Sequence, residues 1–164
     1  MIRLFAETDD PSGFSCGSVD LDRYLKTHAL ANAKLGVSAT YVHVDEANHV
    51  SGFVTLAGTS IRSAETPAFR NFPRYPLPAL LVARLAVDAS SQNRGVGRTL
   101  LAFALEESLV MHSRIGCVAV VVDARPGAVS FYEQFGFESA VLADPVRSTM
   151  RMVLEIGSIV DALA

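Results

Sequence analysis

The residues with the clearest chemical meaning lie at positions 92–98, which read Gln-Asn-Arg-Gly-Val-Gly-Arg. They follow an apolar run at 79–87 and precede an apolar-faced segment at 100–109, so the pattern predicts a buried strand, a glycine loop and the start of a helix. The unpaired N–H groups and the dipole at a helix N-terminus favour an anion such as a phosphate. Gly95 and Gly97 are expected to let the backbone approach that anion and take dihedral angles that a side chain would forbid. An ordinary strand-to-helix turn is the alternative.

Tyr132 has a phenol that could take part in proton transfer. It falls in a short helical pattern at residues 127–134, and a phenol stays protonated at neutral pH, so it can give a proton to a leaving group. Taken alone, a tyrosine beside phenylalanines is more often a core residue. The sequence offers no obvious general base. Glu133 and Asp123 are weak candidates, and an aspartate at a strand end is typical of a turn or a cap.

Cysteine and histidine give no sign of a metal or redox centre. Cys16 and Cys117 are far apart in the sequence, and Cys117 falls inside an apolar strand pattern, where it is expected to pack. We therefore predict reduced cysteines, neither of them a nucleophile, in a cytoplasmic protein without a metal. No ligand spacing connects the four histidines, which are His28, His43, His49 and His112.

Length and composition predict one domain, residues 1–164, with a substantial core. Half of the residues are hydrophobic and 19% are charged, as in globular proteins. There is no apolar run of membrane-spanning length and no signal-peptide pattern, so no membrane association is expected. The net charge of −3 argues against general nucleic-acid binding, yet 12 of the 14 basic residues are arginine, which suits phosphate recognition.

The first part of the chain predicts an edge strand, a helix and a hairpin. Residues 3–8 fit a short edge strand, and Ser18 or Asp20 can cap a helix that ends at Gly36. Residues 39–44 and 50–57 fit an antiparallel pair joined by a polar turn.

The least regular part is residues 61–78, where four prolines argue against a long helix or a central strand. A loop of this length in a compact domain is usually functional, and a plain surface excursion is the alternative. Arginines are frequent in this loop and in the strand after it, although scattered surface arginines are the commoner explanation. They are Arg62, Arg70, Arg74 and Arg84.

The second half of the chain predicts a parallel βαβ unit followed by a closing pair of strands. Apolar strands at 79–87 and 115–123 flank the helix that follows the glycine loop, and such a crossover makes the two strands parallel. A short helix comes next, and residues 137–138 and 148–155 fit an antiparallel pair.

This order of elements, with two sequence motifs, resembles the GNAT superfamily of acetyl-CoA-dependent N-acetyltransferases. Residues 92–97 match the family's Gln/Arg-x-x-Gly-x-Gly/Ala pyrophosphate loop, with Asn93 where many members have glycine, and residues 131–137 match its Phe-Tyr-x-x-x-Gly-Phe signature. A dinucleotide-binding Rossmann unit fits less well, because the third glycine and an N-terminal loop are missing. The resemblance implies an α/β GNAT fold, with a mixed central sheet of six to seven strands and about four helices, and acetyl-CoA as co-substrate.

The resemblance narrows to the toxins of bacterial toxin–antitoxin pairs. It rests on Phe-Ser-Cys-Gly at residues 14–17 followed by Leu21 and Tyr24, and on residues 52–57 and 83–88, and it covers almost the whole chain. That branch acetylates the amino group of the amino acid on charged tRNA, which halts translation. It therefore implies an aminoacyl-tRNA substrate, a ribbon-helix-helix antitoxin as partner and a homodimer.

The resemblance also implies roles for individual residues. Backbone groups of residues 85–87 would bind the pantetheine arm as an added strand, and one of their N–H groups would polarise the thioester carbonyl. Tyr132 would protonate the departing thiolate. A positive surface for the tRNA acceptor end would include Lys26, Arg70, Arg74 and Arg84. The implied cofactor-binding residues are Leu85, Ala86, Val87, Gln92, Asn93, Arg94, Gly95, Val96, Gly97 and Arg98.

Two other functions remain open on the sequence. A GNAT acetyltransferase can act on a small-molecule amine or on a protein amine, because the fold does not select the acceptor. A non-catalytic acetyl-CoA-binding module is the second alternative, and Tyr132 together with the intact glycine loop speaks against it.

Overall fold

The computed structural model describes residues 1–140 and 148–163, and it is an α/β structure. Its described strands form a seven-stranded mixed sheet in the order β1-β2-β3-β4-β5-β7-β6, which confirms the predicted fold class. The strands are β1 (Ile2–Leu4), β2 (Ala39–Val44), β3 (Val50–Ile61), β4 (Leu77–Val87), β5 (Ala119–Ala124), β6 (Glu138–Ser139) and β7 (Met150–Glu155).

Four α-helical segments, besides short 3-10 turns, accompany the sheet in the part of the chain that the structure describes. The first is continuous, and Ser18 caps it as predicted, because its side chain accepts a hydrogen bond from the N–H of Leu21. It consists of α1 (Val19–Arg23), a π-helical turn (Tyr24–His28) and α2 (Ala29–Lys34). The others are α3 (Val96–Arg114), α4 (Val129–Glu133) and α5 (Ile156–Leu163).

Strand pairing agrees with the predicted βαβ unit and closing pair. β4 and β5 are parallel, in register from Ala79 with Ala119 to Val82 with Val122. β5 pairs antiparallel with β7, and β7 also pairs antiparallel with the two-residue strand β6. α3 is therefore the crossover between parallel strands, which places the glycine loop directly after β4.

Several strand boundaries differ from the sequence prediction. β1 ends at Leu4, because the Asp9 carboxylate folds back to accept the N–H of Ala6. β3 continues to the fully buried Ile61 instead of ending at residue 57. β4 begins at Leu77 and so includes one of the four prolines of the predicted loop.

The predicted strand at 115–123 was wrong at its start, because β5 begins at Ala119. The N–H groups of Ile115 and Gly116 bond back to the Met111 carbonyl, and Gly116 has a φ of 103°. This arrangement ends a helix with a left-handed glycine. Ile115, which the apolar pattern assigned to a buried strand, is 80% exposed.

The chain forms two compact units, residues 1–57 with 83–104 and residues 58–82 with 105–164. In the first unit, Phe14 and Phe53 pack edge to face in a core, with their ring centroids 5.5 Å apart. In the second unit, the fully buried Phe69 packs in a core that includes Ile61 and Val121. The single domain over residues 1–164 stays a prediction.

Candidate functional site

Asp88 fixes the turn that follows β4. Its carboxylate accepts hydrogen bonds from the N–H groups of Ser15 (2.9 Å) and Ser90 (3.0 Å), and its own N–H donates to the Ser51 carbonyl (2.9 Å). Burial alone would raise the pKa of Asp88, but the hydrogen bonds from Ser90 and Ser15 lower it overall. The carboxylate is therefore ionised at neutral pH and sets the direction in which the chain leaves the strand.

Gln92 holds the same turn from its other side. Its side-chain amide donates to the carbonyl oxygens of Cys16 (3.2 Å) and Val87 (3.1 Å). Of the residues expected at the pyrophosphate, Gln92 therefore has its amide bonded to the protein's own backbone. We therefore expect the loop residues after Gln92 to offer their backbone N–H groups to a ligand.

Left-handed backbone occurs at two positions of this loop. Asn93 has a φ of 63° and Gly95 a φ of 83°. Asparagine tolerates this region better than other residues with side chains, which explains how it stands where many family members have glycine. Gly97 was expected to share this property, and that expectation was wrong, because Gly97 lies in the first turn of α3 and has no positive φ.

The loop ends at the N-terminus of α3, a 19-residue helix. The Gly95 carbonyl accepts hydrogen bonds from the N–H and the hydroxyl of Thr99, both at 3.0 Å, so the helix begins at Val96. The first backbone N–H groups of a helix have no acceptor within it, and the dipole makes this end positive. Arg94 precedes this helix start and Arg98 lies in its first turn, and both residues are exposed.

Gly52 on β3 sets how closely α3 approaches the sheet. A Cβ at this position would lie 2.9 Å from methyl carbons of Leu100 and Val96 and 3.0 Å from the Ala86 carbonyl oxygen. Such distances do not occur without a shift of the neighbours, so only glycine fits. Sequence reasoning missed this role, although a glycine inside a strand pattern is a known sign of close backbone approach.

The segment expected to bind the pantetheine arm, residues 85–87, forms the end of β4. It lies beyond the last registered pair of β4 with β5, which is Val82 with Val122. The Ala86 side chain is buried, and its two neighbours are half-buried. The backbone of this segment is extended, which is the form that can pair with an extended ligand.

Tyr132 lies on α4 in an aromatic setting and is 6% exposed. The rings of Phe131 and Phe137 contact it edge to face, with centroids 5.1 Å and 5.6 Å from its own. Burial raises the pKa of Tyr132 to about 12. The phenol is therefore protonated throughout the neutral and mildly basic range, which is the state that a general acid requires.

The four predicted tRNA-contact residues divide between the two units. In the first unit, the Arg84 guanidinium lies over the ring of the buried Tyr24, 4.6 Å from its centroid, and Lys26 is exposed on the same π-helical turn as Tyr24. In the second unit, Arg70 and Arg74 are exposed on the loop before β4. The Arg84–Tyr24 stack was not foreseen, because its partners are distant in sequence.

No thiol in the chain has the properties of a nucleophile. The Cys16 Sγ donates to the Ser18 carbonyl at 3.6 Å, and burial raises its pKa. Burial also raises the pKa of the Cys117 thiol, whose Sγ donates to the Ala119 carbonyl at 3.3 Å. Both thiols are therefore protonated at neutral pH, as expected for structural cysteines.

A serine–histidine contact in the first unit resembles a nucleophile and its base, but its geometry argues otherwise. His43 Nδ1 lies 2.6 Å from the Ser51 Oγ. The same hydroxyl also lies 3.0 Å from the His43 carbonyl, so it is shared between two acceptors of one β2 residue and joins that strand to β3. The pair is a structural link between β2 and β3.

A cavity of about 500 Å³ in the first unit does not suit a phosphate. Its lining includes Asp9, Asp10, Asp45 and Asp88, and of these Asp9 forms an ion pair with Arg3 at 2.6 Å. None of residues 92–98 lines it. Within residues 1–140 and 148–163, no group of three or more His, Cys, Asp or Glu side chains is arranged to hold a metal ion. No described helix has both the length and the apolar character of a membrane span.

Comparison with known proteins gives concordant results. The acetyltransferase (GNAT) domain model matches residues 36–139. The chain is 37% identical over 153 residues to the tRNA-acetylating toxin of Mycobacterium tuberculosis (strain ATCC 25618 / H37Rv). The aligned residues cover 92% of this chain and 90% of that protein.

Solved structures that share the fold include two of AtaT. AtaT complexed with acetyl-methionyl-tRNAfMet superposes with a TM-score of 0.90 at 24% identity, over 100% of this chain and 99% of that one. A mutant AtaT toxin bound to the C-terminus of the antitoxin AtaR and acetyl-CoA gives a TM-score of 0.82 at 24% identity, over 100% and 98% of the two chains. With the family model matching residues 36–139 and the toxin matching over nearly the full length, the chain belongs to the GNAT acetyltransferase family.

Proposed function

We propose that this protein transfers an acetyl group from acetyl-CoA to the amino group of the amino acid on charged tRNA, and so acts as a toxin that blocks translation. The observation that carries the proposal is the 37% identity, over 92% of the chain, to a tRNA-acetylating toxin. Two features of the chain support the same chemistry: the first unit has a helix N-terminus of the kind that binds phosphate, and the second has a buried, protonated tyrosine. Both units would belong to one GNAT domain, residues 1–164.

Acetyl-CoA binding would use the backbone of this chain more than its side chains. The pyrophosphate would lie at the N–H groups of Gly95, Val96, Gly97 and Arg98, with the Arg94 guanidinium and the Asn93 turn at its edge. The pantetheine arm would pair with Leu85, Ala86 and Val87, and one of their N–H groups would polarise the thioester carbonyl. Gln92 would contribute by holding the turn, through its bonds to Cys16 and Val87.

The proposed reaction is a direct attack without an acyl-enzyme. The neutral amine of the aminoacyl ester attacks the thioester carbonyl carbon, so an N–C bond forms and the C–S bond breaks. Tyr132 gives its phenol proton to the departing thiolate, and the proton lost by the amine goes to solvent, from which the phenolate is reprotonated. An aminoacyl ester has a weakly basic amine, so this substrate needs no strong general base.

The decisive experiment measures acetyl transfer from labelled acetyl-CoA into total charged tRNA, with a parallel sample deacylated before the reaction. We expect label on charged tRNA and none after deacylation. Absence of label with acetyl-CoA binding intact would overturn the tRNA proposal, and label on a small-molecule or protein amine would then favour that alternative acceptor. Binding without transfer to any amine would favour a non-catalytic module.

Tyr132→Phe tests the acid within the same assay. Because the variant loses only the phenol hydroxyl, we expect turnover to fall roughly 10²–10⁴-fold while acetyl-CoA still binds. Tyr41→Phe is the matched control, since it removes the same hydroxyl from a half-buried ring on β2 that the proposed site does not use. Unchanged turnover in Tyr132→Phe would remove this residue from the acid role.

We further propose a ribbon-helix-helix antitoxin as partner, a homodimeric state and activity in the cytoplasm, where charged tRNA is used. An AtaT structure contains the C-terminus of the antitoxin AtaR, which supports the proposal that this protein has an antitoxin partner. Co-expression with a small neighbouring gene product should suppress the tRNA acetylation and yield a stable complex. Sedimentation of the purified protein should give twice the 17.5 kDa chain mass.

A further inference from the structure

The loop before β4 exposes aromatic and basic side chains in alternation. Every residue at positions 70–76 is exposed. Tyr75 is 67% exposed and Phe72 is 39% exposed, unusually high values for such large apolar rings. Arg70 and Arg74 are exposed beside them. We name Arg70, Phe72, Arg74 and Tyr75 the aromatic–arginine surface.

The charge of this stretch is opposite to that of the whole chain. No aspartate or glutamate occurs between Glu65 and Asp88, whereas the chain carries a net charge of −3. Arg70 and Arg74 therefore have no close acidic neighbour in the sequence that would neutralise their charge. Such a surface suits a polyanion, because guanidinium groups bind phosphates and aromatic rings stack on bases.

The base of the loop is firmly held, so the exposed rings are presented from an ordered support. Phe69 is fully buried, and the Phe72 ring lies against it with centroids 4.8 Å apart. Nearby, a Glu65 carboxylate oxygen lies 2.7 Å from Arg151 Nε on β7, and the Arg151 Nη2 donates to the Ser60 carbonyl at 3.2 Å. One face of Phe72 is therefore packed while the ring remains partly open.

We propose that the aromatic–arginine surface binds the unpaired nucleotides at the 3′ end of tRNA, with bases stacking on Phe72 and Tyr75 and phosphates at Arg70 and Arg74. The proposal rests on the proposed tRNA substrate and names the part of that substrate which this loop recognises. Unpaired nucleotides fit better than duplex RNA, because only unstacked bases can lie on an aromatic ring. Stacking also tolerates any base, so this surface adds affinity without choosing among tRNAs.

The test measures binding of uncharged tRNA, which requires no catalysis, so its result is separate from that of the acetyl-transfer assay. Two probes are compared: intact tRNA and the same tRNA with its 3′-terminal CCA removed. We expect Phe72→Leu and Tyr75→Leu each to weaken intact tRNA by about 5- to 100-fold and to leave trimmed tRNA unchanged. Arg74→Gln should weaken intact tRNA and lower the slope of log affinity against log salt concentration by about 1.

Two control variants match these changes on the exposed end of α3 and the turn after it. Ile115→Ala removes an apolar side chain that is 80% exposed, and Arg114→Gln removes an exposed charge. Neither should alter binding of either probe. If the wild type binds intact and trimmed tRNA equally, or if the leucine variants weaken both alike, the proposal is overturned. If Phe72→Leu does not fold, Tyr75→Leu alone tests the proposal, since the Tyr75 ring is mostly exposed to solvent.

Discussion

The turn at residues 88–95 and the loop at residues 62–76 present their functional groups in opposite ways. In the turn, Asp88 and Gln92 direct their side chains inward to backbone groups, and the surface consists of N–H groups at a helix start. In the loop, Phe69 and the Glu65–Arg151 pair anchor the chain, and the surface consists of side chains.

This difference predicts how each region responds to mutation. A backbone surface depends on dihedral angles, so a substitution in the turn should act by changing its conformation. A side-chain surface depends on the groups themselves, so a substitution at the loop surface should remove one contact and leave the fold intact. Changes to the two anchors of the loop should instead lower stability, and the four predictions below test this contrast from the largest expected effect to the smallest.

Phe69→Ala should cause the largest loss. The side chain is fully buried among Ile61, Leu77 and Val121, and truncation leaves a cavity, so we expect the free energy of unfolding to fall by about 3–5 kcal/mol. Urea denaturation measures it. Phe72→Ala is the control, because that ring is 39% exposed and should cost clearly less. Equal losses in the two variants would mean that the loop is anchored along its length and not at Phe69.

Disrupting the Glu65–Arg151 pair, the second anchor of the loop, should lower the free energy of unfolding by less than Phe69→Ala does. Glu65→Gln removes the charge that faces Arg151. It also weakens the 2.7 Å hydrogen bond that the Arg62 N–H donates to the Glu65 carboxylate. Both side chains of the pair are largely buried, at 14% and 22% exposure, so we expect a loss of about 1.5–3 kcal/mol in the free energy of unfolding. A double-mutant cycle with Arg151→Gln measures the coupling, and a coupling near zero would contradict an anchoring role.

Gly95→Ala should act through the backbone alone. No described protein atom lies within 4 Å of the added Cβ, so there is no clash, but a φ of 83° costs an alanine about 1–2 kcal/mol. The loop should relax away from this conformation, and calorimetry should show acetyl-CoA binding about tenfold weaker or more. Gly58→Ala is the control, because that glycine has open space and no positive φ. An unchanged affinity for acetyl-CoA in Gly95→Ala would show that the turn does not depend on this dihedral angle.

The fold was predictable where the sequence itself records burial. β4 and β5 are long apolar runs, and a crossover helix between them requires parallel pairing, so their arrangement follows from pattern alone. Boundaries failed where a local side-chain hydrogen bond ends an element, as the Asp9 carboxylate does after β1, or where a left-handed glycine such as Gly116 ends a helix. Those interactions leave no periodic signal.

The site was predictable to the extent that it is local. The glycine loop and the helix start are contiguous, so the motif at residues 92–98 located them. The role of Gly52, the Arg84–Tyr24 stack and the Glu65–Arg151 pair were missed, because each joins residues that are distant in sequence. Long-range contacts of this kind decide how a motif is positioned, and only the three-dimensional structure reveals them.

Acid should loosen the turn selectively, with the smallest of the four effects. The pKa of Asp88 is lowered in the folded state, so its contribution to stability is present above the unfolded value and is lost as the pH falls through the folded one. Asp88→Asn has no charge to lose. The wild type should therefore lose its stability advantage over this variant between about pH 6 and about pH 3, by less than about 1 kcal/mol, because the group is partly exposed. Thermal melts of both proteins across this range measure the difference. A difference independent of pH would show that the bonds from Ser15 and Ser90 do not need a charged acceptor.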